Sequence, residues 1–163
     1  MNINNTDLNI RPEVEQDMAF VDRLYRSTRE DLLQLGLAEA LMDNLIQMQL
    51  HAQKTGYRMQ FPDADYSIVE KKGEAIGYLV IDKGDEAIRL VYIAFLPHER
   101  NRGHGSRLIQ ALQTQASGAN KPIKLSVDPQ NMQAKHLYLS SGFQVKNNDG
   151  ANLEMVWLGQ AKD

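Results

Sequence analysis

The stretch Ile88–Leu112, IRLVYIAFLPHERNRGHGSRLIQAL, contains three consecutive structural signals. An apolar run that ends at Leu96 predicts a strand, and an amphipathic pattern from Gly103 to about Ser117 predicts a helix. The first turn of a helix has backbone N–H groups without intrahelical partners, and its dipole adds partial positive charge there. Because glycine lets the backbone come close to an anion, this strand, loop and helix together predict a phosphate-binding site.

The loop itself reads Arg100-Asn101-Arg102-Gly103-His104-Gly105, and Arg107 adds further positive charge. A simpler interpretation stays open, in which the two glycines only permit a tight turn into the helix. A dinucleotide-binding loop needs a third glycine where Leu108 stands, and the Gly-Lys-Ser/Thr of a Walker A loop does not occur. What remains is Arg-x-x-Gly-x-Gly between a strand and a helix.

Composition limits the class of protein. The 163 residues predict a single domain over 1–163, and a net charge of −3 with a pI near 5.8 argues against a nucleic-acid partner. The sequence has no cysteine, which excludes disulfides, thiolate metal sites and a cysteine nucleophile. Since the N-terminus lacks a signal-peptide pattern and no apolar run could span a bilayer, we expect a cytoplasmic protein without a membrane partner.

Hydrophobic periodicity predicts an α/β domain without repeats or linkers. A helix is predicted over 15–35, and a second over 38–55 with Leu41, Leu45, Met48 and Ala52 on its apolar face. A short helix containing Ala134, Leu137 and Tyr138 ends at Gly142. Strands are predicted over residues 8–11, 66–70, 75–81, 87–96, 122–127, 143–145 and 152–158.

A second motif lies one predicted helix and one strand after the loop. The segment Asn131–Phe143 matches N-x-x-A-x-x-L-Y-x-x-x-G-F at every keyed position. Together, the two motifs resemble those of the GNAT superfamily of N-acetyltransferases, and the resemblance covers residues 65–158 best. It implies a mixed, mostly antiparallel central sheet of about six to seven strands, flanked by about four helices.

The resemblance also implies roles for individual residues. Residues 93–95 look like those that pair their backbone with the pantetheine arm of acetyl-CoA, residues 101–106 like the pyrophosphate cradle, and Tyr138 like the residue beside the thioester sulfur. The implied cofactor-binding residues are Ile93, Ala94, Phe95, Arg100, Asn101, Arg102, Gly103, His104, Gly105, Ser106, Asn131 and Tyr138. Two alternatives stay open: Asn131 is also a preferred helix N-cap, and Tyr138 also fits a core position.

The implied function is an acetyl-CoA-dependent N-acetyltransferase that passes acetyl directly to a primary amine of a small molecule or peptide, without a metal. Tyr138 is the candidate catalytic acid, and a backbone N–H near Phe95 is the candidate oxyanion donor. Since protomers of this fold often pair strands, the resemblance also allows a homodimer. Tyr25, Tyr57 and Phe61 are candidates for the acceptor pocket, and core positions suit them equally well.

The general base is left unassigned. Many relatives carry a glutamate in the central strand or at the position of Ser126, and this sequence has neither. The remaining candidates are Tyr92, Asp128, Asp63 and Asp65, acting through water, and the turn residue His98. The gap keeps an alternative function open, a non-catalytic module of the same fold that binds or senses acyl-CoA.

Overall fold

Seven β-strands form one sheet in the order β1-β2-β3-β4-β5-β7-β6 in the computed structural model, which describes Ile3 and residues 6–159. Neighbouring strands are antiparallel except β4 and β5, which run parallel. The strands are β1 (Leu8–Pro12), β2 (Asp65–Lys71), β3 (Glu74–Lys83), β4 (Ile88–Phe95), β5 (Ile123–Val127), β6 (Gln144–Asn148) and β7 (Leu153–Trp157). The predicted fold class is confirmed.

Five α-helices occur in the described part of the chain, together with short 3₁₀ turns at Glu15–Asp17 and Pro97–Glu99. The helices are α1 (Met18–Ser27), α2 (Glu30–Leu33), α3 (Glu39–Gln60), α4 (His104–Ala119) and α5 (Met132–Ser140). There is one more helix than the number implied by the resemblance, because the helix predicted over 15–35 is divided.

The division between α1 and α2 has a local cause. The hydroxyls of Ser27 and Thr28 donate hydrogen bonds to the carbonyls of Leu24 and Tyr25, at 2.6 and 2.7 Å. Such back-bonding competes with the helical backbone pattern. Arg29 follows with a non-helical ψ of 46°, so the chain turns before α2 begins.

Helix α3 is longer than predicted and buries a different face. Its buried residues are Met42, Ile46 and Leu50, whereas Met48, predicted on the apolar face, is 70% exposed. Two apolar stripes of the same period run along this helix, and periodicity alone does not choose between them. Ile46 and Leu50 are buried because they pack with Tyr25 and Leu32 of the first two helices.

Strand β4 is covered on both faces, in keeping with the apolar run from Leu90 to Leu96. Ile93 and Phe95 pack against the core beneath α4 and α5, whereas Tyr92 and Ala94 pack against the core beneath α1. Val91 is the extra residue of a β-bulge, since Leu90 pairs with Ile81 and Tyr92 with Val80. A bulge shifts the alternation of side chains by one residue, and this shift turns Ile93 and Phe95 towards α4 and α5.

The pairing of β4 with β5 is short. It covers only Ile88–Leu90 against Ile123–Leu125, although β4 continues to Phe95. The last part of β4 therefore pairs with β3 on one side and separates from β5 on the other. This separation creates the entrance to the site described below.

Gly77 of β3 leaves the space that Phe95 occupies. The two residues are cross-strand partners, and a Cβ on Gly77 would lie 2.7 Å from Cδ1 of Phe95 and 2.8 Å from the carbonyl oxygen of Ala94. Both distances are below van der Waals contact, and one involves the backbone. Glycine is thus required here by the close approach of the end of β4.

Candidate active site

A cleft of about 700 Å³ opens where β4 separates from β5. Its walls come from the end of β4, the loop before α4, one face of α5 and the segment between α1 and α2. The cleft brings together every predicted cofactor-binding residue except Arg102, which lies outside its lining. Residues from two motifs, about 30 positions apart in the sequence, thus share one cleft.

The glycine loop enters α4 through a left-handed residue. Gly103, the N-cap of α4, has a φ of 83°, and no side chain caps the helix. The first intrahelical bond of this turn joins the N–H of Arg107 to the carbonyl of Gly103, at 3.1 Å. The N–H groups of the preceding residues therefore remain without intrahelical acceptors, as an anion-binding helix N-terminus requires.

Gly105, in the first turn of α4, faces Leu137 of α5. A Cβ at this position would be 3.0 Å from Cδ2 of Leu137, which also lines the cleft. The absence of a side chain therefore lets the loop and α5 form adjoining walls. The loop and α5 are also joined directly, since Nε2 of Gln133 donates to Oδ1 of Asn101 at 2.7 Å.

Arg100 is engaged within the protein. Its Nε donates to the carbonyl of Phe95 at 2.9 Å, and its Nη2 donates to Oγ of Ser27 at 3.2 Å. It thereby ties the end of β4 to the end of α1, while it still lines the cleft. Cofactor contact by Arg100 stays a prediction, as it does for Arg102, whose side chain is exposed.

Asn131 does act as the N-cap of α5. Its Oδ1 accepts a hydrogen bond from the N–H of Ala134 at 3.2 Å, which was one of the two interpretations left open by the sequence. The cap occupies only the side-chain oxygen. The amide nitrogen makes no hydrogen bond among the described residues and lies in the cleft lining, so the cap leaves a donor for a ligand.

Tyr138 is buried beside the cleft, with its ring tilted against Phe143 at a centroid distance of 5.8 Å. Among the described residues, its hydroxyl has no hydrogen-bond partner, and no fully buried side-chain nitrogen or oxygen is left unpaired. The hydroxyl is therefore open to the cleft. Burial raises the pKa of Tyr138 to about 12, which keeps the phenol protonated at neutral pH.

A family model described as the acetyltransferase (GNAT) family matches residues 47–143, more than half of the chain. The chain belongs to the GNAT acetyltransferase family. The match includes the glycine loop and ends at Phe143, the last residue of the second motif. The resemblance stated from the two motifs is thus confirmed, while no curated protein matches the sequence.

Solved GNAT structures have the same fold. The PaiA N-acetyltransferase from Thermoplasma acidophilum, in complex with coenzyme A, is 17% identical, with a TM-score of 0.68 over 91% of this chain and 97% of that one. An acetyltransferase from Thermus thermophilus is 17% identical, with a TM-score of 0.67 over 96% of this chain and 99% of that one. The putative acetyltransferase yncA from Salmonella typhimurium, with its cofactor acetyl-CoA, is 18% identical, with a TM-score of 0.56 over 97% of this chain and 98% of that one. At these identities the likeness shows the fold.

Three carboxylates line the cleft of this GNAT chain: Glu30, Asp31 and Glu99. Asp31 pairs with Arg29 at 3.1 Å, and the guanidinium lowers the pKa of Asp31. Buried Glu99 pairs with His104 and Lys71. Glu30 makes no ion pair with any described residue, so its carboxylate is available to a ligand.

The candidate bases named from the sequence lie elsewhere. Asp63, Asp65, Asp128, His98 and Tyr92 are outside the cleft lining. Glu30 and Asp31 were missed because a continuous helix over 15–35 gives no reason to place them at a site. The Ser27-Thr28 pair was the available signal, since helix-breaking hydrogen bonds at that point turn the next residues into the cleft.

The aromatic residues proposed for the acceptor pocket lie outside the lining of this cleft. Tyr25 and Tyr57 line a separate cavity of about 20 Å³, together with the inward-facing Tyr66, Tyr78 and Tyr92. That volume holds about one water molecule, so the cavity is too small for an acceptor as it stands. Phe61 lies outside both linings.

Ile3 and residues 6–159 contain no group of three or more histidine, cysteine, aspartate or glutamate side chains that could hold a metal ion. No helix among them has the length and apolar character needed to cross a bilayer.

We expect Gly105→Val to destabilise the protein by about 1–3 kcal/mol, because the added branches press α4 away from Leu137. The same shift widens the junction of loop and α5, so acetyl-CoA affinity should fall as well. Chemical denaturation measures the first effect and calorimetric titration the second.

Gly118→Val is the matched control, since Gly118 lies in the same helix with no atom within 4 Å of an added Cβ. Helix propensity changes equally in both variants. Equal stability and equal affinity in the two variants would contradict the packing role of Gly105.

Proposed function

We propose that this GNAT chain is an acetyl-CoA-dependent N-acetyltransferase, which transfers acetyl directly to a primary amine of a small molecule or a peptide. The observation that carries the proposal is the separation of β4 from β5 after Leu90, which places an open strand edge between the glycine loop and Tyr138. Family membership supports acetyl transfer, and the amine acceptor is our inference.

The cleft fits an acyl-CoA in three respects. The uncapped start of α4 offers backbone N–H groups to the pyrophosphate, with Gly103 and Gly105 keeping side chains out of the way. The end of β4 offers a backbone edge to the pantetheine arm, which has amide groups of its own. The amide of Asn131 and the hydroxyl of Tyr138 supply two further donors.

The bound thioester supplies an activated acetyl group, and the chain must prepare the acceptor for it. An alkylammonium has a pKa of about 10.4, so the amine has to lose a proton before it attacks. That first proton is lost to solvent. The free amine nitrogen then bonds to the carbonyl carbon, the carbon–sulfur bond breaks, and the second proton that nitrogen releases ends on the sulfur of CoA. Direct attack is favoured since the sequence has no cysteine that could carry the acetyl group.

Tyr138 acts in this scheme as a hydrogen-bond donor. The burial that raises its pKa to about 12 leaves it a weaker acid than a thiol, whose ordinary pKa is about 8.5. A phenol of that pKa does not surrender its proton to a thiolate at equilibrium. It can donate a hydrogen bond that stabilises the departing sulfur, and a charged acceptor strengthens such a bond.

Amine-dependent release of free CoA tests the proposal. With acetyl-CoA present, we expect a panel of primary amines and peptide N-termini to include at least one acceptor that accelerates release, with its acetylated product visible by mass spectrometry. Tight acetyl-CoA binding without any amine-dependent release would instead support the non-catalytic acyl-CoA-binding module.

We infer that Glu30 attracts the acceptor ammonium, because it is the cleft-lining carboxylate without an ion pair among the described residues. Glu30→Gln should raise KM for a cationic amine by about two- to fivefold, the range of an exposed charge pair. Acetyl-CoA affinity should not change.

Glu39→Gln is the control for Glu30→Gln, since Glu39 is another exposed carboxylate in the first turn of a helix, outside the cleft lining. Steady-state kinetics with varied amine measures both variants. A KM for Glu30→Gln that equals the KM of the control would rule out the role of Glu30.

Tyr138→Phe should lower kcat by about ten- to a hundredfold, the range of one lost hydrogen bond to a charged group, with little change in acetyl-CoA affinity. The ring packing on Phe143 survives in this variant, so the folded protein should remain as stable. Because the pKa of Tyr138 is raised to about 12, the wild-type pH profile should show no fall in activity from this residue up to about pH 10. An unchanged kcat would remove Tyr138 from the chemistry.

A further inference from the structure

Helix α3 carries a second apolar stripe, which we call the outer stripe. Its members recur at alternating intervals of four and three residues: Leu41, Leu45, Met48, Ala52, Thr55 and Met59. At about 100° per residue they fall within a sector about 80° wide, turned roughly 140° away from the stripe that packs on α1 and α2. Alternating intervals of this kind are typical of a helix that packs along another helix.

Much of the outer stripe is open to solvent. Leu41, Met48 and Met59 are 55%, 70% and 79% exposed, and Leu35 and Leu37 in the segment before α3 are exposed as well. Single exposed apolar side chains are common, whereas a continuous row of them marks an interaction surface. From Leu41 to Met59 this row is about 27 Å long, at 1.5 Å per residue.

The outer stripe is self-complementary when two copies of α3 lie antiparallel. With the twofold axis at the level of Leu50, Leu45 meets the partner's Thr55 and Met48 meets the partner's Ala52. In both central pairs a large side chain thus faces a small one, as close packing requires. A parallel pair would set Met48 against Met48 and Ala52 against Ala52, which crowds one level and leaves a gap at the next.

The residues that flank the outer stripe favour the same arrangement. Neither flank carries an acidic residue: Asn44, His51 and Arg58 lie on one side, and Gln49 and Gly56 on the other. In the antiparallel pair Arg58 lies near the partner's Asn44, whose side-chain oxygen can accept from the guanidinium. Nη2 of Arg58 contacts Glu13 at 3.4 Å, and the guanidinium has further donors. A parallel pair would place Arg58 beside Arg58, and such like charges repel.

We propose that the outer stripe of α3 is a homodimer interface, in which α3 packs antiparallel against α3 of a second copy of this chain. The contact uses a helix, not the strand pairing that the family resemblance allows, and it does not depend on the proposed acetyl transfer. The opposite face of α3 packs on Tyr25 and Leu32 of the two helices beside the cleft. Because the contact is one helix wide, the interface is small and the dimer should dissociate on dilution.

Sedimentation velocity of the full chain at several concentrations tests the interface. We expect a reversible equilibrium between monomer and dimer. Met48→Glu should raise the dissociation constant of the dimer about tenfold or more, because its carboxylate would lose water against the partner's Ala52. Glutamate suits an exposed helix position, so circular dichroism should show a folded monomer. Met132→Glu is the matched control, since Met132 is 65% exposed at the start of α5, outside the outer stripe, and should leave the dimer unchanged.

The orientation of the two helices is tested by cross-linking with a short bismaleimide, because the sequence has no cysteine of its own. In the antiparallel pair position 51 lies close to its counterpart across the twofold axis. Position 44 is separated from its counterpart by about 18 Å along the helix axis, at 1.5 Å per residue. His51→Cys should therefore cross-link efficiently and Asn44→Cys should not, although both residues are exposed on the same flank.

Each other outcome overturns a defined part of the proposal. A wild-type protein that stays monomeric at every concentration would exclude a second copy as the occupant and leave the outer stripe to a helix of a different protein. A dimer that persists in Met48→Glu would place the interface on another face. Loss of the dimer in Met132→Glu as well would show that the association is not specific to α3. Equal cross-linking of the two cysteine variants would contradict the antiparallel arrangement.

Discussion

Backbone pairing between β4 and β5 stops after Leu90 and Leu125, and the candidate site depends on that interruption. Strands that stayed paired to Phe95 would satisfy the backbone groups of β4 and close the space between the loop and α5. The bulge at Val91 acts at the same point, because it turns Ile93 and Phe95 towards α4 and α5. The backbone N–H and C=O groups at the end of this central strand are thereby left unpaired with β5. Because unpaired backbone groups inside a protein cost free energy, this edge is suited to pair with a ligand.

Packing around this opening relies on residues without side chains. Gly77 accommodates Phe95 at the end of β4, and Gly105 accommodates Leu137 of α5. Gly103 serves a different need, since its left-handed φ of 83° turns the chain into α4 without a steric penalty. The three glycines therefore act on the shape of one cleft through two physical effects, close approach and backbone conformation.

Most charged side chains near the loop contact groups that offset their charge. Glu99 is flanked by Lys71 and His104, Arg100 is held by backbone and hydroxyl oxygens, and Asp31 is paired with Arg29. A buried charge without a partner costs several kcal/mol, so such pairing is needed wherever ionised groups surround a cleft. Against this background Glu30 has no oppositely charged partner among the described residues, which makes it the candidate to bind a cation in the cleft.

Local conformational preferences were enough to predict the features that depend on neighbouring residues. The strand, glycine loop and helix of 88–112 and the apolar character of β4 are of this kind, whereas the cap at Asn131 was one of two interpretations that the sequence left open. The two motifs also identified the family, since their order and context are more specific than either motif. Long-range packing set two further features: which stripe of α3 is buried and where β4 leaves β5. These features depend on contacts between residues far apart in the chain, where several arrangements share the same local pattern and only packing selects one.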